Sequence, residues 1–335
     1  MKIAIFGYYN ALNAGDDRIQ YCITRLLQGH QVIFLPHYLP PPKDYLQSFD
    51  WILIGGGGLV FEQVGIWNNT AKWIQDCKAK IGVLGLGVNH ISQKLCSEVL
   101  TLIEKADFFY VRDHTSKALL NQHSKIEVYP DLTWCFPFQS EQQPDRICQG
   151  IALNLLPCHW RSFDIDAWVR VLTNAQIHPF PLHFGINRDF DLLHTYFGDR
   201  TPQEFSLKPL MNSQLLIACR FHAIVFAMQL GKPFIAINYD DKVRRLLAEA
   251  DLLECCLQTT EHHQLLEKIQ FVLEHQTQLQ QKIAVFNQLQ HARSQILLRL
   301  VQDHLLPQPS PTKQDPLSTL RKIAKITTKK LVGRV

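Results

Sequence analysis

Arg220 and His222 flank one phenylalanine in the stretch Ile217-Ala218-Cys219-Arg220-Phe221-His222-Ala223, which leads from an apolar strand into an apolar helix. A fixed cation, an imidazole and the free backbone N–H groups of a helix start meet there. That set suits a phosphate or carboxylate together with proton transfer. The plainer reading is a histidine that packs or caps at the helix start. Arg112 and Asp113 close another strand. They are either a structural ion pair and cap, or Arg112 reaches into a cleft and grips an anion with its planar fork. In Asn238-Tyr239-Asp240-Asp241-Lys242, Asp240 reads as a helix N-cap and Lys242 as a second cation for the same cleft. A solvated, capped helix start is the alternative.

Three loops accompany these residues. Gly7 to Asp17 (GYYNALNAGDD) joins the first strand to the first helix. Gly7 and Gly15 permit backbone geometry that other residues resist, and Asn13, Asp16 or Asp17 can cap the helix. Asp16 and Asp17 argue against a site for phosphate alone, because they place negative charge where the helix dipole attracts an anion. Ile54-Gly55-Gly56-Gly57-Gly58-Leu59 follows an apolar strand, and glycines there let a ligand or another backbone come close. The run is not GxGxxG and lacks an acidic ribose partner about 20 residues on. Gly85-Leu86-Gly87 repeats the device one strand later.

The elements that must position these residues alternate along the chain. Short apolar runs at Lys2–Phe6, Val32–Leu35, Trp51–Ile54, Ile81–Leu84, Phe108–Val111 and Ile126–Tyr129 read as strands. Helical spacing is found between them, as at Asp16–Gln28, Ala71–Ala79, Ser92–Lys105 and Thr115–Asn121. The polar stretch Gln139–Cys148 reads as a linker, after which alternation restarts with strands near Gly150–Leu155, Ala175–Phe180, Gln214–Ala218 and Pro233–Ile237. The pattern predicts an α/β chain of two Rossmann-like domains, 1–138 and 149–260, facing across a cleft. Glu261–Leu305 reads as one or two closing helices, with Leu266, Ile269, Leu273, Ile283, Phe286 and Leu289 marking the buried stripe.

Composition excludes several classes. Charged residues are 19% and hydrophobic residues 46% of 335, the balance of a globular protein with a sizeable core. No apolar run reaches the ~18 residues of a membrane span. The apolar start is too short for a signal peptide, so a cytoplasmic protein is expected. Nine cysteines, odd in number and without CxxC, speak against disulfides and against zinc; no metal-ligand cluster and no cofactor motif is found. Of the net charge of +4, residues from Pro307 onward supply +6, leaving −2 for the rest. The body is therefore not a nucleic-acid binder by charge. In the tail, Leu317, Leu320, Ile323, Ala324 and Leu331 share one side of a helical wheel, and Arg321, Lys322, Lys325 and Lys329 fall mostly on another. This is either a solvated basic tail or a peripheral anchor at the inner membrane face.

Taken in order, these segments resemble the polysaccharide pyruvyl transferase family. GYYNALNAGDD resembles its N-terminal loop, IGGGGL its glycine-rich strand end, and ADFFYVRDHTSKALL its segment with a strand-end arginine. RFHAIVFAMQLGKPFIAINYDDKV resembles its RxHA helix and the strand end that follows. The likeness spans about residues 1–255. It implies a fold like the two-domain GT-B glycosyltransferases, phosphoenolpyruvate as donor, and a sugar or polysaccharide acceptor, lipid-linked forms included. Carried onto this chain, Arg220 and His222 become the donor-binding and acid/base pair and Arg112 a second anion clamp. Lys242 joins them as a cation. Asp16 and Asp17, with Asp113, are candidates for the acceptor hydroxyls, and Asn13, Gly15, Gly56, Gly57, Gly58, Gly87 and Asp240 line the cleft. Asn89 and His90 stand where the family has a Gly-Pro pair, a departure that bears on acceptor choice. Two other classes share parts of this pattern: a nucleotide-sugar glycosyltransferase of the same plan, and a non-catalytic glycan binder.

Overall fold

A computed structural model describes residues 1–37, 39, 41–61, 74, 77–89, 91–138, 148–157, 163–185 and 188–306. Among them are two parallel sheets. The first contains β1 (Lys2–Gly7), β2 (Gln31–Pro36), β3 (Trp51–Val60), β4 (Lys80–Val88), β5 (Phe108–Val111) and β6 (Ile126–Val128), in the order β2-β1-β3-β4-β5-β6. The second contains β7 (Ile151–Asn154), β8 (Ile177–Pro179), β9 (Leu215–Ala218), β10 (Phe234–Asn238) and β11 (Cys256–Gln258), in the order β11-β10-β9-β7-β8. Each winds outward one way, returns, and continues the other way. The reversals lie between β1 and β3 and between β7 and β9, where doubly wound sheets open a crevice at the carboxyl ends of their strands.

The apolar composition of the strands follows from burial on both faces. Ile3, Ala4, Ile5 and Phe6 of β1 and Leu215 to Ala218 of β9 are all buried. Helix α1 (Ala14–Leu26) covers the first sheet with Ile19, Cys22, Ile23 and Leu26, the one-face spacing visible in the sequence. Ser92 caps α2 (Gln93–Lys105) and Asp113 caps α3 (His114–Leu119). The second sheet carries α4 (Ile165–Val171), α5 (Asp189–Phe197), α6 (Phe221–Gln229) and α7 (Asp241–Glu249), the last capped by Asp240. Both sheets belong to one compact unit, Met1–Leu297.

The structure corrects the expected pattern in three places. The glycine run does not follow β3 but lies inside it: the strand continues to Val60, with φ of +65° at Gly56 and +83° at Gly57 and a register shift against β4 between Gly57 and Val60. Residues with side chains resist that conformation, so the glycines let the strand bend and go on pairing. Likewise β4 takes in Gly85-Leu86-Gly87. Second, of the one or two closing helices expected there are two, α8 (Leu265–Glu274) and α9 (Gln276–Leu305); Ile283 and Phe286 of the expected stripe are buried, but the stripe is displaced elsewhere. Leu265, Val272, Leu279, Ile283 and Phe286 are buried, whereas Leu266 and Leu289 are exposed. Apolar residues outnumber the positions that face the core, so spacing alone admits two stripes. Third, β11 carried too little apolar length to be read as a strand. The helix expected at Ala71–Ala79 lies mostly outside the described residues, and the linker up to residue 147, His90 and the tail lie outside them entirely. Residues 298–306, the last described, fall in a second unit and are helical to Leu305.

Candidate active site

The loops at the two reversal points bring their residues together. On the first sheet, Asn13 caps α1 by accepting from the Gly15 N–H, which sets Asp16 in the first helical turn. On the second, β9 ends at Ala218, Arg220 occupies the N-cap position of α6, and His222 is the second residue of that helix. A Cβ on Gly15 would overlap the His222 ring. The glycine therefore serves a close approach between α1 and α6.

His222 Nε2 lies 3.5 Å from Asp131 Oδ2, and Arg112 Nη1 lies 3.6 Å from the same oxygen. Asp131 follows β6 and was not singled out from the sequence. Its other oxygen accepts from the Thr133 N–H and hydroxyl. Burial by itself would raise the Asp131 carboxyl, but His222, Arg112 and the Thr133 N–H outweigh it and hold it well below the usual carboxylate range. Asp16 goes the other way. Burial pushes it up to about 6; His222 draws it down, Asp131 adds to the rise, and Arg112 and Arg220 oppose it. One cluster thus holds a carboxylate fixed as an anion and another near its midpoint at mild pH, the separation expected of acid/base sites. Arg112 Nε, Asp131 Oδ2 and His222 Nε2 are buried without a hydrogen bond. Unmet buried polar groups are costly and are kept where function needs them.

Arg112 is placed by its neighbours. Its guanidinium lies over the Phe221 ring at 4.4 Å and beside Gly87, where a Cβ would come within 2.6 Å of Nε. Gly58 faces its Nη2, and a Cβ on Gly57 would come within 2.9 Å of Asp16 Oδ1. Gly56 clears Ile19 rather than the site. Arg220, expected as a donor-binding cation, already has a carboxylate partner: Nε and Nη2 donate to Asp189 at 2.9 and 2.7 Å. Nη2 also lies 3.4 Å from His183 Nδ1, and Nη1 has no hydrogen-bond partner among the described residues. Burial, joined by Arg220, brings His183 down to about 4, so its ring is neutral.

Other predicted residues sit further out. Asp17 is exposed on α1, outside the cluster. Lys242 pairs with Asp240 at 3.7 Å and lines a small cavity beside the cluster with Arg112, Asp131, Phe221 and Arg245. Arg245 donates to the Val88 carbonyl, tying α7 to the end of β4. Asn89 donates its N–H to the Val60 carbonyl at the rim. Asp131, Asp189 and His183 were missed because none lies in a glycine-rich or cationic motif; the helix-capping pattern Asp131-x-Thr133 was the one available signal.

The fold has known counterparts. The UDP-bound MnaA of S. aureus superposes with a TM-score of 0.58 at 10% identity, over 94% of this chain and all of that one. UDP-GlcNAc 2-epimerase from Neisseria meningitidis, bound to UDP-GlcNAc, gives 0.58 at 12% identity, over 90% of this chain and all of that one. These likenesses place the molecule among two-domain GT-B-like folds. No curated protein sequence matches the chain. The model of one family, polysaccharide pyruvyl transferase, matches residues 13–241, from the Asn13 cap through Arg112 and His222 to the start of α7. The chain belongs to the polysaccharide pyruvyl transferase family.

Proposed function

We propose that this enzyme transfers the enolpyruvyl unit of phosphoenolpyruvate to two hydroxyls of one sugar as a ketal, releasing phosphate. The observation that carries the reading is the meeting of Arg220 and His222 with Asp16, Arg112 and Asp131 between the two sheets. Phosphoenolpyruvate packs a carboxylate and a phosphate into a small volume, and arginine suits both geometries. Arg112 and the remaining N–H groups of Arg220 hold those anions, with Lys242 at the edge.

In this mechanism His222 gives a proton to the donor's methylene carbon, and C2 becomes oxocarbenium-like. A sugar hydroxyl adds to C2 while its proton passes to Asp16. The C2–O bond to phosphate then breaks, and Asp16 protonates the departing phosphate. A second hydroxyl of the same sugar closes the ketal and returns a proton to His222. Asp131, whose Oδ2 lies 3.5 Å from His222 Nε2, pairs with the ring as it carries its proton and keeps it oriented. No metal or organic cofactor enters the scheme.

The acceptor is a polysaccharide or its precursor, lipid-linked forms included, and the reaction is cytoplasmic. The test is incubation with phosphoenolpyruvate and a panel of sugar acceptors, following phosphate release and a pyruvate-sized gain in acceptor mass. Product from a nucleotide sugar without phosphoenolpyruvate would instead make the chain a glycosyltransferase. Glycan binding without turnover on any acceptor would make it a binding module.

A further inference from the structure

Asp189, the first residue of α5, is fully buried, and its carboxylate accepts five hydrogen bonds. Two come from Arg220, through Nε at 2.9 Å and Nη2 at 2.7 Å. Two come from backbone N–H groups, Leu182 at 2.8 Å and His183 at 3.1 Å. The fifth comes from Asn154 Nδ2 at 3.0 Å, and Asn154 Oδ1 accepts from the Arg220 N–H at 3.0 Å. Few carboxylates are so fully occupied, and a buried charge that meets its partners this completely fixes their geometry.

The backbone held by Asp189 reaches the first sheet. Leu182 accepts from the Ala14 N–H at 2.7 Å, the Phe184 N–H donates to Leu12 at 2.9 Å, and Asn13 and His183 form an antiparallel bridge. Ala14 and Gly15 open α1, whose next residue is Asp16. An unbroken path of hydrogen bonds and three chain residues therefore joins the guanidinium of Arg220 to the loop that carries Asp16.

We propose that Asp189 is a positioning residue that sets Arg220 for the donor and, with the same carboxylate, holds the segment Leu182–Phe184 that grips the Asn13 loop of the first sheet. The donor half of this inference rests on the proposed function. Its consequence is that the two sides of the site are not independent: loosening Asp189 loosens the Asp16 loop as well as Arg220.

Two variants separate the links. Asp189→Asn keeps the shape but places an N–H₂ where acceptors are needed. Arg220→Lys keeps a cation and leaves Asp189 free to hold Leu182 and His183. Amide hydrogen exchange of the substrate-free protein reads segments 11–16 and 182–184, and calorimetry reads phosphoenolpyruvate affinity. Leaving buried partners unmet costs enough to predict, for Asp189→Asn, at least about tenfold faster exchange in both segments and about tenfold weaker binding. Arg220→Lys should weaken binding comparably while exchange in 11–16 stays at the parent's rate. Parent-like exchange in 11–16 for Asp189→Asn overturns the proposal, as does equal loosening by Arg220→Lys. Should Asp189→Asn not fold, Asp189→Glu moves the charge by one methylene and is expected to give the same pattern in weaker form; parent values of both readouts for it overturn the proposal. Exchange needs no donor, so a parent enzyme that fails to bind phosphoenolpyruvate sinks the donor assignment while the exchange comparison still judges the link.

Discussion

At the scale of single residues, the site rests on two carboxylates driven in opposite directions. Asp131 is held anionic by His222 and Arg112, whereas burial pushes Asp16 up to about 6. For Asp16 the sign is clear. The fold prefers its protonated form, so the carboxyl costs nothing below its unfolded value near 4, and the cost grows as pH rises through 6 and is complete above it. Asp16→Asn removes that cost. The variant should therefore melt higher than the parent at pH 8, by up to about 3 kcal/mol in stability, with the gap closing near pH 4. Thermal melts across that range are the check, and a gap independent of pH would remove the burial argument. The same variant should turn over poorly, because an amide cannot take the acceptor's proton. His222→Ala should lower turnover by about 10²–10⁴-fold with the fold intact by circular dichroism, the usual loss of a positioned acid/base. Turnover within threefold of the parent, taking that range as the measure, would take His222 out of the mechanism.

At the scale of elements, glycine placement explains why helices and strands come so close here. Gly15 admits the His222 ring and Gly87 admits the Arg112 guanidinium, so both of these side chains lie against a position with no side chain. Gly15→Ala should displace the ring or the start of α1, and a misplacement of about 1 Å is enough for about a 10²-fold loss of turnover. Its melting temperature should change far less than its rate, since other contacts of α1 persist; equal losses in both would mark Gly15 as structural only. Gly57→Val combines a φ of +83° with contact on Asp16, so it should lower stability and activity together, read by melting and turnover on the same preparation. These elements also show what the chain's sequence reveals. Strand and helix periodicity placed both sheets, and the clustering of Arg112, Arg220 and His222 followed from their positions at strand ends. Asp131 and Asp189 were not legible, because a carboxylate that caps a turn and one that clamps an arginine look alike until the chain is folded. The glycine run was seen but misplaced, since period and composition do not say whether a strand bends or stops.

At the scale of the whole molecule, the residues of the site come from two sheets tied together by side chains as well as by the Asn13–His183 bridge. Gln229 Nε2 donates to the Thr133 carbonyl at 3.2 Å, Arg293 Nη2 to the Val128 carbonyl at 3.1 Å, and Arg245 to Val88. No helix among the described residues is long and apolar enough to cross a membrane. We propose that the basic residues beyond Pro307 meet an anionic lipid surface, each contributing on the order of 1 kcal/mol near the headgroups and less in salt. Truncation after Leu306 should lower co-sedimentation with vesicles containing anionic lipid and leave turnover on a soluble acceptor unchanged. Equal sedimentation of both proteins would deprive the tail of that role. The strand orders carry one more consequence, and it concerns time. Every strand of the first sheet precedes every strand of the second, so a ribosome releases Asp16, Arg112 and Asp131 before Arg220 or His222 has been added. At about 5–20 residues per second, the growing chain spends several seconds with one wall of its site made and the other unmade. During that interval the half-built site has Asp16, Asp131 and Arg112 but neither Arg220 nor His222, and the chemistry waits until translation has delivered α6.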